Sequence, residues 1–473
     1  MNHVALGLRA LAVGALAAPM FALLAMRLNP GIDPLYMGFD VHFYVVGFTA
    51  AAAAIACAVI MGSARTLQNS RLFFLGLGFL AIAGIFSVHG LATPGYIVDE
   101  YYVSVSVSAW LSAALGSVLI ALSVVPPPAA LGHAIERHGK LLFAAAACAI
   151  GAYIVVSLSF DAWLDWVPMQ ERNLQLSLGL GALAFTGFAA WRYYQAFVFA
   201  RLPSQLAMVT ALALLMEVQA LLLWGRLWHL SWWLYHAMYA VAFAVLFAGW
   251  AIETRRAGTL SAIADALSMR DALAALNRGL ESPILELVDA IEIKDMQTLG
   301  HVRRVSGYAL AIGQQLNLSQ GDLRALVLAA EMHDVGKISI PNSLLAKPGP
   351  LTDEEFALIK THTVRGHEIA SKVAALEKLA GVIRHHHERY DGTGYPDAVA
   401  GDSIPLLSRI ITVADSYDAM TSPRPYRDAL DHGDAMARLR EGKGKQFDPA
   451  CVSAFEAVMT ASGRERLAQQ AAA

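Results

Sequence analysis

Glu331-Met332-His333-Asp334-Val335-Gly336-Lys337 sets an imidazole and a carboxylate at the end of an apolar helical stripe. That stripe is Leu323, Leu326, Val327 and Ala330, spaced as one helix face, and Gly336 supplies the stop. A His beside an Asp is common and says little alone. What decides the reading is the company downstream: His362, the run His385-His386-His387-Glu388, and Asp415. Imidazoles and carboxylates are metal-ligand types, and here they crowd into one third of the chain.

Working outward, each of these residues falls on or at the end of an expected helix. Ile284, Leu287, Val288 and Ile291 form one apolar stripe, and Val302, Val305, Tyr308, Ala309 and Ile312 form another. His301 opens the second and, from the residues alone, reads as a surface residue more readily than as a ligand. Thr352-Asp353-Glu354-Glu355 is a capping box opening a helix that carries Phe356, Ile359 and His362. Leu379, Val382 and Ile383 lead to His386-His387. Adjacent helical residues do not share a face, so these two imidazoles can serve two different ions, or one ion and one substrate oxygen. His385 is the bystander. A Gly-Thr-Gly-Tyr-Pro turn follows, Pro405 precedes another helix, and Asp415 and Asp418 end it one turn apart. Lys337 offers a fixed positive charge, and Arg424 and Arg427 offer two guanidinium groups of the kind that grip phosphate.

These residues reach a resemblance. His333-Asp334-Val-Gly-Lys337, His362, His386-His387-Glu388-Arg-Tyr-Asp391-Gly-Thr-Gly394-Tyr395-Pro396, Ala414-Asp415-Ser-Tyr-Asp418-Ala and Arg424-Pro-Tyr-Arg427 resemble the HD-GYP family over about 281–460, with Gly442-Lys-Gly-Lys-Gln-Phe447-Asp448-Pro449 near the end. The resemblance implies an all-helical HD fold and a cyclic-di-GMP phosphodiesterase that yields linear pGpG and, on a second cleavage, GMP. It implies two divalent metal ions, and a mixed His/carboxylate set suits iron or manganese better than magnesium. By the same resemblance His301, His333, Asp334, His362, His386, His387 and Asp415 are ligands, His333, Asp334 and Lys337 are catalytic, and Lys337, Tyr395, Arg424 and Arg427 touch the dinucleotide. One departure bears on the metal count: Gln297 stands where trinuclear members resemble one another in carrying Glu, which points to two ions rather than three. The rival readings are a non-catalytic receptor or scaffold for the dinucleotide, a hydrolase of another cyclic dinucleotide, and a transporter with a regulatory tail.

The rest of the chain is of a different kind. Of 473 residues, 56% are hydrophobic and only 15% charged, with mean hydropathy +0.48, too apolar for an average soluble protein. The net charge of −3 speaks against a nucleic-acid polymer as partner. The three cysteines form no CxxC, so neither a disulfide framework nor a thiolate zinc site is indicated. Apolar runs near 5–25, 41–62, 72–93, 101–124, 141–160, 174–192, 204–224 and 232–251 each approach the ~20 residues that cross a bilayer. Basic residues fall in alternate loops (Arg65 and Arg71, Arg137 and Lys140, Arg192 and Arg201, Arg255-Arg256), and acidic residues fall in the others (Asp33 and Asp40, Asp99-Glu100, Asp161, Asp165 and Glu171). By the positive-inside rule the first set is cytoplasmic. The expectation is an all-α protein of the bacterial inner membrane: residues 1–252 a polytopic transmembrane helical bundle with about eight helices acting as a sensor, 253–280 a linker helix, and 281–473 an all-helical HD-type metallohydrolase domain in the cytoplasm.

Two further features stand out. His42, His89, His229 and His236 all fall near the outer face on this topology, and Glu217 lies mid-span. Ionisable groups within spans usually face a bundle interior or a cavity. The functional reading is a sensor site formed by His42, His89, His236 and Glu217 that binds a metal, a haem or a small ligand, with His42 and His89 as the central pair. The alternative is interfacial histidines hydrogen-bonded to headgroups or backbone. In the connector, Leu260, Ile263 and Leu267, then Leu273, Leu276 and Leu280, fit a coiled coil with a stutter, and hence a homodimer, as well as they fit an amphipathic helix packing on its own domain.

Overall fold

The structure is a computed structural model of the whole chain. It describes residues 3–62, 69–98, 100, 102–160, 163–268, 276, 284, 287, 300–345, 347, 349–422 and 429–459, with side chains from 16 onward and at 14. Every regular element among the described residues is helical, so the chain is all-α. It divides into two compact units, residues 1–197 with 201–270, and residues 198–200 with 271–473.

The first unit contains α1 (His3–Leu28), α2 (Phe39–Met61), α3 (Ser70–Leu91), α4 (Val103–Leu122), α5 (Ala129–Ser159), α6 (Arg172–Ala200), α7 (Pro203–Trp224), α8 (Leu230–Ala257) and α9 (Ser261–Ser268). The seven helices from α2 to α8 are each long and apolar enough to cross a membrane. Over its most apolar stretch α3 is 72% buried and α5 only 6%, although α5 is the more apolar of the two. Leu141 and Val155 of α5 are 69% and 62% exposed. An outward-turned apolar face of this extent is compatible with lipid around the unit. Within it, α3 and α4 approach closely because both lack a side chain at the crossing. A Cβ on Gly78 would meet Ile120 at 2.8 Å, and one on Gly116 would meet Ile82 at 2.7 Å.

The connector 253–280, expected as one linker helix, is interrupted near its start. Gly258 takes φ +74° and ends α8 one residue earlier, and α9 begins only at Ser261. Ile263 and Leu267 pack into the apolar core of this first unit, whereas Leu260 is exposed. Leu273 and Leu280 lie outside the described residues.

The second unit contains α10 (His301–Gln315), α11 (Gln320–Met332), α12 (Asp353–Lys372), α13 (Ala380–Arg384), α14 (Leu406–Thr421), α15 (His432–Glu441) and α16 (Pro449–Val458). Its helix starts are written locally. Ser319, Asp431 and Asp448 accept from backbone N–H groups of the first turns of α11, α15 and α16, and Thr352 with Glu355 closes the expected capping box on α12. Val305, Ala309 and Ile312 of α10, Leu326, Val327 and Ala330 of α11, Ile383 of α13 and Ile410, Ile411 and Val413 of α14 are buried and form the core behind the site. Burial of each large aliphatic side chain contributes about 1.5–3 kcal/mol. After α11 the chain makes a 3-10 turn, Val335–Ser339, laid directly on α12: a Cβ on Gly336 would collide with the His362 carbonyl. That contact sets His333 and Asp334 beside His362.

Candidate metal centre

His333 caps the carboxyl end of α11, Asp334 follows it, His362 lies mid-way along α12, His386 and His387 follow α13, and Asp415 lies on α14. His301 opens α10, where Gly300 at φ +76° turns the chain into the helix. Two groups of donors result. Asp334, His362, His386 and His387 bring one ligand atom each within 4.8 Å of the others, and so do His301, His333 and Asp415. Asp334 reaches both groups: its Oδ1 is 3.4 Å from His362 Nε2 and its Oδ2 is 3.3 Å from His333 Nε2. Lys337 Nζ sits 2.7 Å from Asp334 Oδ2.

The hydrogen bonds behind these rings fix which nitrogen is free. The Nδ1 atoms of His333, His362 and His386 lie 2.7, 2.7 and 2.6 Å from the carbonyl oxygens of Ala330, Ile359 and Ile383. A carbonyl can only accept, so each Nδ1 carries the proton and each neutral ring turns an Nε2 lone pair inward. His362 Nε2 and His386 Nε2 then face each other at 3.3 Å, acceptor against acceptor, and His333 Nε2 has no hydrogen-bond partner. Opposed lone pairs in a buried site leave an unmet demand for a cation, so the residues present fit divalent metal ions. His301 is held differently. Its Nδ1 lies 2.7 Å from Asp418 Oδ2, while Arg304 donates to both oxygens of Asp418, and its Nε2 points at Asp415 Oδ1 at 3.5 Å.

At His386, His387 and Asp334 electrostatics favour the same donor states; His333 differs, and without a cation its neighbours favour the protonated ring. Burial, then the neighbouring His387, holds His386 well below the usual imidazole range. Burial and His362 push His387 down to about 3. Burial works against the carboxylate of Asp334, yet Lys337 and His333 beside it keep it well below the usual carboxylate range. Burial also opposes a charge on His333, but Asp334 and Asp415 raise it to about 9. The carboxylate field that draws a proton to His333 would draw a cation equally. Neutral imidazoles with ionised carboxylates are what a metal site requires.

The structure therefore gathers all seven sequence-expected ligands, with Lys337 beside them. The Tyr395 ring lies tilted against His387, with ring centres 5.0 Å apart. Gln297, Arg424 and Arg427 lie outside the described residues. His385 points away, its Nε2 lying 2.9 Å from Asp397, which Arg384 also clamps. Three supports went unassigned in the sequence. Arg304 grips Asp418, Thr412 donates to the His386 carbonyl, and Glu388 accepts from Asp397 N–H across the turn. Arg304 and Asp418 are 114 residues apart, so no local pattern marks them as partners.

Comparison with known proteins falls on this unit. Residues 286–451 match the family described as "HD domain". A cyclic di-GMP phosphodiesterase response regulator, RpfG, of Xanthomonas campestris pv. campestris is 43% identical over 171 residues, covering 36% of this chain and 45% of that protein. A cyclic di-GMP phosphodiesterase of Vibrio cholerae is 39% identical over 190 residues, covering 37% and 39%. A 3'3'-cGAMP-specific phosphodiesterase 3 of the same organism is 38% identical over 177 residues, covering 37% and 38%. The chain spans less than half the length of each of these relatives.

Proposed function

We propose that the chain is a membrane-bound, metal-dependent phosphodiesterase that hydrolyses cyclic-di-GMP to pGpG, and further to GMP, under the control of its amino-terminal helical unit. The observation that carries this reading is the pair of donor groups joined through Asp334. His362, His386 and His387 would hold one ion with Asp334, and His301, His333 and Asp415 the other. Two divalent ions, when bound, supply Lewis acidity toward a phosphoryl oxygen and a lowered pKa for water. Water adds to phosphorus, one P–O bond breaks, and the departing ribose oxygen takes up a proton. Lys337 holds positive charge where the phosphoryl oxygens gain negative charge. Tyr395, Arg424 and Arg427 would orient the dinucleotide. Homodimerisation through 253–280 is not part of the proposal, because Ile263 and Leu267 are buried in the core of the chain's own first unit.

The test is metal analysis with turnover of cyclic-di-GMP by the full chain in detergent. The expected result is about two iron or manganese ions per chain. His333→Ala or Asp334→Ala should abolish turnover and lower the metal content, Asp334→Ala more so because it reaches both groups. Full activity in metal-depleted protein carrying either change would end the reading. A second reading keeps the chemistry and changes the substrate, because a relative is named for 3'3'-cGAMP. Turnover of a panel of cyclic dinucleotides distinguishes the two.

A further inference from the structure

The amino-terminal unit contains a second histidine cluster, which the phosphodiesterase chemistry does not use. His42 of α2, His89 of α3 and His236 of α8 are each at most 3% exposed, and one ligand atom from each lies within 4.8 Å of the others. The consecutive helices α2 and α3 converge here with the distant α8. Gly90 lets α3 approach α2, since a Cβ there would meet Val46 at 2.9 Å. Glu217, expected in the same site, does not join the group: it is half-buried elsewhere on α7. His229 also stays outside, its Nδ1 donating to the Asp33 carbonyl at 2.6 Å.

The hydrogen bonds around the cluster repeat the logic of the metal centre. His89 Nδ1 lies 2.9 Å from the Val105 carbonyl, so it carries the proton and Nε2 is a lone pair. His42 Nδ1 lies 2.8 Å from Thr93 Oγ1, and Thr93 has a single hydroxyl proton, directed at the His89 carbonyl one turn back. Thr93 therefore accepts from His42 Nδ1, and His42 Nε2 is also a lone pair. The two Nε2 atoms stand 3.0 Å apart. Tyr235 Oη is 2.7 Å from His89 Nε2 and can supply a proton there. His236 is the decisive residue. It is buried, the Trp232 carbonyl one turn back makes only a distorted contact with its ring, and neither nitrogen has a well-formed hydrogen bond. Leaving such a group unmet costs about 1–3 kcal/mol, which a purely structural histidine has no reason to bear.

We propose that His42, His89 and His236 bind a first-row transition-metal ion through three imidazole nitrogens. Metal–nitrogen bonds of about 2.0 Å place ligand nitrogens roughly 3.3–3.5 Å apart, a separation the cluster reaches by small ring rotations. Imidazole donors select copper, zinc, nickel or iron over magnesium or calcium. No carboxylate belongs to the group, so a bound ion keeps its charge in an apolar surround of Trp232, Phe86 and Tyr239. The desolvation cost rises steeply with charge, which favours Cu(I) over Zn(II). A cavity of about 900 Å³ reaches His42 and His89 past Trp110, Trp228 and Tyr235, and gives an ion a route in.

The experiment uses the full chain in detergent and reads the ion lost when the cluster is changed, so that metal at the first centre cancels. Cu(I) and Zn(II) are titrated separately against chromogenic chelators, and X-ray absorption reads the ligand shell. One equivalent of either ion in a nitrogen-rich shell is expected, with Cu(I) winning in competition. His236→Gln and His42→Asn should each weaken it beyond the roughly 10–100-fold that an outer-shell loss costs, while Thr93→Val costs within that range. His229→Ala should leave it unchanged. An unchanged gel-filtration profile guards against misfolding. Absence of a stoichiometric ion, binding indifferent to both His236→Gln and His42→Asn, or a haem absorption band in place of an ion would overturn the proposal. None of these results bears on turnover by the second unit.

Discussion

At the scale of single residues, Asp418 shows how a site is held by groups that touch no substrate. It is buried, accepts from His301 Nδ1, and is gripped through both oxygens by Arg304. The carboxylate fixes the His301 tautomer so that Nε2 faces Asp415. Asp418→Asn keeps the shape but lets an amide N–H face the ring, which reverses the tautomer. The expected outcome is a roughly 10–100-fold loss of metal affinity at the His301 group with the fold retained, measured by chelator competition and circular dichroism. His385→Ala is the contrast. That ring faces Asp397, so its loss should leave metal content as it was. Equal metal affinity in Asp418→Asn and the parent would show that His301 needs no such support. Sequence reading could place His301 only by resemblance. The residues that make it a ligand, Asp415 and Asp418, lie more than a hundred positions away, and no local spacing encodes that proximity.

At the scale of elements, the 3-10 turn after α11 and its seat on α12 carry the geometry. The steric partner of a Cβ at Gly336 is backbone, the His362 carbonyl, so no side-chain rotation can relieve it. Gly336→Ala should cost about 1–3 kcal/mol or more by overpacking. It should also part Asp334 from His362, so metal content falls along with the melting temperature. Thr352→Ala removes the capping box at the far end of α12 and costs about 1 kcal/mol without loss of metal. If both variants lose stability but keep metal equally, the turn does not position the ligands. The capping box was legible because it is written within four neighbouring residues, whereas Gly336, expected to stop α11, lies inside the 3-10 turn without a left-handed φ and serves the contact with α12 instead. The break at Gly258 was not legible. Leu260, Ile263 and Leu267 fit a continuing helix as well as a new one, and only the packing of Ile263 and Leu267 into the first unit's core decides between them. The His42, His89 and His236 cluster was half legible. Depth in a span could be counted from sequence, but which face of each helix turns inward could not, and Glu217 was grouped with the histidines for that reason.

At the scale of the whole molecule, sidedness follows from the charges on the loops. Arg137 and Lys140, Arg192 and Arg201, and Arg255-Arg256 alternate with the acidic loops that contain Asp33, Glu100 and Asp165. Lys and Arg near span ends set orientation, so the end of α8 should face the cytoplasm and the chain beyond it should follow. The start of the chain is a separate question. Seven helices, α2 to α8, are long and apolar enough to cross, while α1 is described with side chains mainly over its second half. If α1 also crosses, both ends lie in the cytoplasm; if it does not, the amino terminus lies outside. Protease added to inverted inner-membrane vesicles should therefore remove the region after Arg256, and protease added to intact spheroplasts should not. A reporter active only in the cytoplasm, fused ahead of Met1, should be active if eight helices cross and silent if seven do. Cleavage of the carboxyl-terminal region from the outside of spheroplasts would contradict the charge argument. It would also separate the proposed phosphodiesterase from a cytoplasmic dinucleotide, because a doubly charged phosphodiester does not cross hydrocarbon unaided.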